Sequence, residues 1–343
     1  MISLPRLKTI AAAAGACVAI FTATPASAFV YAVSHLQIQD LKLTFDDPNS
    51  VINNFSFDLS NTATMNGVSS PNQTANCFSS NGVTNNCGIA PVLNAAQAIA
   101  PPSNLIRPAD YYGFATPVEK DVPGLKSFSR SDSIIRTAQL VTGTPTSTEQ
   151  IAESLLNISG AAKANAEIQS HTSLRTTGTF SGVVDLKFMA DPDQLAEIGG
   201  GSTGVSAQSN MNASFTISLG GNKITFTPTG AGNDSDCLVS GSFAFKTAVK
   251  CTVSGDTESL NSNPSVGMAG TDENSFADAD ADVFTAFGVH ITGLAAATYN
   301  IAFDTFTSTS IVAAVPEPGT TGLVGAALAG LAFTTVRRKR KQS

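Results

Sequence analysis

The chain has 343 residues, with 19 Lys and Arg against 26 Asp and Glu, no Trp, 20 Phe and five Cys. An acidic, Lys-poor surface repels nucleic acid and anionic lipid, so no nucleic-acid partner is expected. Abundant Ser, Thr, Asn, Ala and Gly suit exposed β structure around an aliphatic and Phe core.

Residues 1–28 read as a signal peptide. Arg6 and Lys8 form a basic start, Ile10 to Phe21 is a short apolar core, and Ala26-Ser27-Ala28 is an A-x-A cleavage site. The mature chain then starts at Phe29. Lipoprotein processing at Cys17 is a rival, but the apolar stretch before that residue is too short.

Residues 29–314 form a β-rich ectodomain. Phe29 to Phe45 reads as a strand, with Leu41, Leu43 and Phe45 alternating with Lys42 and Thr44. After a turn at Asp47-Pro48-Asn49 the pattern repeats in Phe55, Phe57 and Leu59. Asn66 to Gly88 reads as a loop. Seven of the 16 prolines fall in residues 91–145, which reads as a surface connection without central strands. Within it, Ser127 to Leu140 can form a strand on Phe128, Ile134 and Ile135.

Two short helices are predicted. Ser147 and Gln150 make a capping box ahead of Ile151, Leu155 and Leu156. Asp191-Pro192-Asp193-Gln194 supplies an N-cap, a Pro at the first helical position and a Gln at the third, with Gly199 just past the end. Between them, Ala161 to Met189 reads as a hairpin turning at Thr177-Gly178 or Ser181-Gly182. Asn210 to Leu219 and Asn222 to Thr227 flank Gly220-Gly221, a two-residue hairpin signal. Phe243, Phe245, Val249, Cys251 and Val253 continue the period-two pattern, and Phe276 to Leu294 and Tyr299 to Val312 complete it. The fold class is mainly β, an antiparallel β-sandwich-like ectodomain with one wet face per sheet.

Chemistry-bearing residues are sparse. Cys17 leaves with the signal, so Cys77, Cys87, Cys237 and Cys251 remain. Three pairings are open, and the local one, Cys77 to Cys87 and Cys237 to Cys251, closes two short loops. Asp278, Asp280 and Asp282 share a strand face. A weak Ca²⁺ site there is the only metal expectation, because Val283 and Val289 break the EF-hand pattern. Gly199 to Gly204 lacks the Lys of a phosphate loop. His35, His171 and His290 stand alone in strand-like runs. No catalytic residue and no organic cofactor is assigned.

The tail, residues 315–343, is the most specific stretch. Val315-Pro316-Glu317-Pro318 is followed by Gly319 to Val336, 18 residues without a charge, and then by Arg337-Arg338-Lys339-Arg340-Lys341. As a transmembrane helix, 319–336 spans roughly 27 Å, and the basic cluster 337–341 keeps the C-terminus cytoplasmic. Pro316 and Pro318 leave an extended segment before the membrane. Removal of the signal takes two basic residues, and removal of the tail takes five basic and one acidic. The remaining 12 basic and 25 acidic residues give the mature domain a net charge of −13.

Pro-Glu-Pro, an apolar helix and a terminal basic cluster, in that order, resemble the PEP-CTERM sorting signal. The resemblance implies exosortase as a partner at Pro316, Glu317 and Pro318, a transient stay in the inner membrane of a Gram-negative cell, and release to the cell surface or matrix. The opening Phe29-Val30-Tyr31-Ala32-Val33 loosely resembles the EDSAP group of exosortase-dependent surface proteins. The expected function is therefore structural or adhesive, associated with exopolysaccharide or biofilm. A carbohydrate-binding module presenting Tyr111-Tyr112 is the second reading, and a secreted hydrolase built from distant residues is the third.

Overall fold

The computed structural model describes residues 28–69, 72–80, 83–85, 92–99, 127–137, 146–158, 164–199, 204–255, 257–274 and 284–313. Two unusually long strands organise it. β9 covers Ala164–Gly199 and β16 covers Thr285–Ala313, and they pair antiparallel from Ala164↔Ala313 to Ala190↔Thr285. Their register shifts at Ile291/Leu294 and again at Leu294/Ala297. Gly182 and Gly293 take positive φ there, 76° and 80°. A Cβ on Gly293 would meet the Ala248 carbonyl at 2.0 Å, so only glycine fits.

The long pair doubles over at this point. β1 (Ala28–Phe45) pairs with β9 after the bend, and β2 (Val51–Met65) pairs with β9 before it. The β1–β2 turn pins the bend. Asp46 Oδ1 accepts from the Val183 amide at 2.8 Å, and Asp47 Oδ2 accepts from Ser181 Oγ at 2.9 Å. Hydrogen bonds from the Asn49 backbone and from Ser181 hold the Asp47 carboxyl below its ordinary range.

Two facing layers result, within one hydrogen-bonded antiparallel network. In the first, β2, the first half of β9, the second half of β16, β10 (Val205–Leu219), β11 (Asn222–Phe226) and β12 (Cys237–Ser240) run side by side. Beyond β2 lie β3 (Val68–Ser69), β4 (Gln73–Ser80) and β5 (Val83–Asn85). In the second layer, β6 (Val92–Ile99), β7 (Phe128–Thr137), β8 (Thr146–Ile158), β1 and the second half of β9 follow in order. β9 then meets β16 toward the bend and β15 (Gly270–Asn274) toward the other end. β13 (Lys250–Gly255) pairs with β16, and β14 (Ser265–Val266) pairs with β10.

The interior is banded. Near the bend, large apolar side chains such as Leu43, Phe57, Phe180, Leu186, Phe215 and Phe303 pack together, and Phe180 stacks on Tyr299 with centroids 4.7 Å apart. At the far end a second core uses smaller residues: Ala32, Ala63, Ala152, Ala196, Ala207 and Ile311. A buried polar belt separates them. Ser34 Oγ donates to the Asn210 carbonyl at 3.1 Å, and Ser209 Oγ to the Val33 carbonyl at 2.7 Å. Thr305 Oγ1 donates to Gln150 Oε1, Ser154 bonds Thr309, and Asn61 Nδ2 donates to Ser133 Oγ. A serine reaching the backbone of the opposite layer requires sheets closer than the usual ~10 Å, which short side chains permit. Each belt contact satisfies a polar group that would otherwise cost about 1–3 kcal/mol to bury.

Several sequence expectations change. Both predicted helices are strands: 147–156 lies in β8, and 191–199 ends β9. Ile151 to Leu156 are buried on both faces, so no polar alternation reveals the strand. Pro192 sits where the β9 ladder passes from β16 (last pair Ala190) to β15 (first pair Gln194). That gap tolerates a residue without an amide donor. Gly199 does not cap a helix. A Cβ there would meet the Phe29 ring at 2.1 Å. The chain does reverse at Ser181-Gly182, but the two halves of β9 face one another across the core and form no hairpin.

Phe243 and Phe245 lie in the one described α-helix, α1 (Phe243–Ala248), where the Ser242 side chain accepts from the Phe245 amide. β4 occupies the predicted loop 66–88. β6 and β7 occupy parts of the predicted connection 91–145, and β7 has a partner on each side. Ser and Thr alternation marks the buried belt as well as the wet face. The Gly220-Gly221 hairpin forms as expected, with Leu219 opposite Asn222 and Gly220 at φ 57°.

Candidate functional site

The sequence-predicted sorting residues Pro316, Glu317 and Pro318 lie outside the described residues, as does the apolar run 319–336. Among the described residues no helix is long and apolar enough to cross a membrane. The fold does fix where the tail leaves. Ala313 closes β16 between Ala164 and Val205 and is 1 % exposed. The last paired residue therefore stands three positions before Pro316. At the other terminus Ala28 opens β1 opposite Ile158, and Phe29 follows opposite Asn157 and Gly199. Ala26 lies outside the described residues.

The strongest electrostatic constellation among the described residues was missed by the sequence reading. It lies on the outer face of the second layer, where β1 is buried on both sides from Val30 to Leu36. Strand alternation sends Tyr31, Val33 and His35 to that face. Register then places His35 beside Asp193 of β9, and Val33 beside Glu153 of β8. His35 Nε2 is 3.2 Å from Glu149 Oε1, and Nδ1 is 3.6 Å from Asp193 Oδ2. Burial alone would push this imidazole down. The two carboxylates outweigh burial, and the pKa is pushed up to about 9. Next to it, Arg130 of β7 forms an ion pair with Glu153, with Nε 2.5 Å from Oε2. Tyr31 Oη donates to Glu153 Oε1 at 2.8 Å, and the guanidinium stacks 5.1 Å from the Phe128 ring centre.

This network ties β7, β8, β1 and β9 across the layer. Its signal in the sequence was the alternation of Glu149, Ile151, Glu153 and Leu155, obscured by the buried residues between them. All its charged members are nearly inaccessible. Chemically, it neutralises carboxylates inside the fold and fixes strand register.

The other histidines stay on the surface. His290 Nδ1 lies 2.7 Å from Asp185 Oδ1. On the first layer's outer face Asp304 Oδ1 meets Arg175 Nη2 at 2.6 Å and His171 Nε2 at 3.6 Å. Partial burial raises the Asp304 carboxyl, but His171, Arg175 and Ser173 together hold it below its ordinary range. Phe306 stands in register between His171 and Asn212 on the same face.

Cys237 and Cys251 form a disulfide, with Cα atoms 6.1 Å apart, joining β12 to β13 across α1. The side chains of Cys77 and Cys87 lie outside the described residues. So do Asp278, Asp280, Asp282, residues 200–203 of the glycine run, and Tyr111-Tyr112. Among the described residues no group of three or more His, Cys, Asp or Glu side chains can hold a metal ion.

Comparison with protein families matches residues 314–340 to the PEP-CTERM protein-sorting motif. The chain thus carries a sorting motif that supports a PEP-CTERM protein processed by exosortase, and implies export through a membrane-anchored precursor. The motif covers the tail alone and leaves the doubled β sheet outside the match. No curated protein and no solved structure matches the chain.

Proposed function

We propose that this chain is an exported, non-enzymatic structural or adhesive protein, delivered to the cell surface or extracellular matrix and working within or against exopolysaccharide. The observation that carries this reading is the sorting motif at 314–340, joined to the last strand of the β domain with no intervening module. The ectodomain supports it. Its buried ion pairs, His35 with Glu149 and Asp193 and Arg130 with Glu153, serve strand register, and its wide faces are sheet surface. In the proposed sequence of events, the helix holds the precursor in the inner membrane with the β domain outside. Exosortase then cuts near Pro316-Glu317-Pro318. Deleting the exosortase leaves the full-length, membrane-bound precursor. Normal release of a shortened protein from the deletion strain would refute the reading.

A second reading, carbohydrate binding, is favoured by the first layer's outer face. There Phe306 stands between His171 and Asn212, with Asp304 and its partner Arg175 farther along the same face, an aromatic platform among hydrogen-bonding groups. Glycan-array binding that Phe306→Ala abolishes would support it. Binding lost instead in Tyr112→Ala would move the site to Tyr111-Tyr112, and an empty array would remove this reading.

A further inference from the structure

Both ends of the mature domain emerge from one end of the doubled sheet. β1 starts there at Ala28, and β16 finishes there at Ala313. The turn at Asn66-Gly67 is tied to β9 by the Asn66 amide on the Asn165 carbonyl at 2.8 Å. The turn from Val266 to Gly270 passes from β14 in the first layer to β15 in the second. Described residues 28–29, 66–69, 204–206, 264–270 and 312–313 include no charged side chain, and the acid beside them, Asp272, accepts from the Ser265 amide at 2.7 Å. That is unusual in a mature chain with a net charge of −13. Three large apolar side chains are exposed at this end: Val68 at 70 %, Met268 at 74 % and Val312 at 41 %. Val51, Leu238 and Phe243 are also exposed, but they lie toward the bend, among Asp46, Asp47, Lys223 and Lys246.

The tail sets how far this end can be from a bilayer. Five residues, 314–318, separate Ala313 from the start of the apolar run at Gly319. Fully extended, they reach at most about 20 Å. The headgroup zone fills roughly 5–7 Å of that distance. Among the described residues, the acidic surface that would keep the rest of the domain off anionic lipid is reduced at this end to Asp272, whose carboxylate is held by the Ser265 amide.

We propose that this end is a membrane-resting surface. While the tail anchors the precursor, Val68, Met268 and the uncharged turns around them lie on the phospholipid headgroups. The short link between Ala313 and the apolar run then brings the sorting enzyme to its motif at the bilayer surface. The inference rests on the anchored precursor of the proposed function.

The absence of Trp allows a clean test. Full-length precursor carrying Met268→Trp or Phe243→Trp, both exposed positions, is reconstituted by its tail into vesicles of phosphatidylethanolamine and phosphatidylglycerol. A fraction of the headgroups carries a nitroxide quencher. The Met268→Trp reporter loses most of its emission, and the Phe243→Trp reporter keeps it. Equal quenching of both, or of neither, in protein that floats with the vesicles overturns the proposal and leaves the anchor intact. Precursor that does not float overturns the anchor, and the proposal with it.

Discussion

Replacing His35 removes a cation from between two buried carboxylates, and the consequence can be worked out from the geometry. His35 is 1 % exposed, with Glu149 at 3.2 Å and Asp193 at 3.6 Å. Burial lowers the pKa, the carboxylates raise it more, and the result is about 9 against an ordinary 6.5. A raised pKa means the folded protein holds this proton more tightly than the unfolded chain. The resulting stability is present in full below pH 6.5 and is lost as pH rises through about 9. At about 1.4 kcal/mol per unit, the contribution is about 3 kcal/mol. Urea unfolding of the mature protein, followed by circular dichroism, is expected to show that loss across the window. The His35→Gln variant should lack it. At neutral pH the variant should be less stable by about 3–5 kcal/mol, because Glu149 and Asp193 lose this counter-charge. Parallel pH profiles for wild type and His35→Gln would refute the reasoning.

Three further outcomes follow from the packing. Cys237→Ser opens a loop with a sequence separation of 14 and should lower the unfolding free energy by about 3 kcal/mol; in reducing agent, which opens every disulfide in both proteins, the difference between wild type and variant should vanish. Gly199→Ala drives a methyl into the Phe29 ring and should cost about 1–3 kcal/mol in urea titration. Adding Phe29→Ala should recover part of that loss, and no recovery would place the clash elsewhere. Ser209→Val removes the hydroxyl bonded to Val33 and puts a larger apolar side chain into the belt between the layers. A loss of about 2–4 kcal/mol is expected, and an unchanged midpoint would mean the layers are not held that tightly.

The strands that border water announced themselves. Phe57 and Leu59 point inward while Asp58 and Ser60 point out, and that contrast gives a period-two signal. The same holds along β10 and β16. Strands buried on both faces lose the contrast. β8 alternates acidic and apolar residues on one face against Gln150, Ala152 and Ser154 on the other, and a capping box at its start is a stronger local signal than its pleat. β9 misled in another way. Ser181-Gly182 carries a turn signature, but whether a chain turns into a hairpin or folds a whole sheet over depends on partners distant in sequence. Here those partners are Asp46, Asp47 and the bulged Gly293. The ionic network shows the same limit, since Tyr31, His35, Arg130, Glu153 and Asp193 come from four strands and meet only through register. The sorting tail needs no partner from the rest of the chain. Its residues act in order along the sequence, and so it could be read directly.

Intact-mass spectrometry of the protein recovered from the extracellular fraction tests the central claim most directly. The account predicts a chain that begins at Phe29, retains the Cys237–Cys251 disulfide, and ends near Pro316-Glu317-Pro318 without the apolar run. Extracellular protein that still carries Arg337 to Lys341 would contradict it.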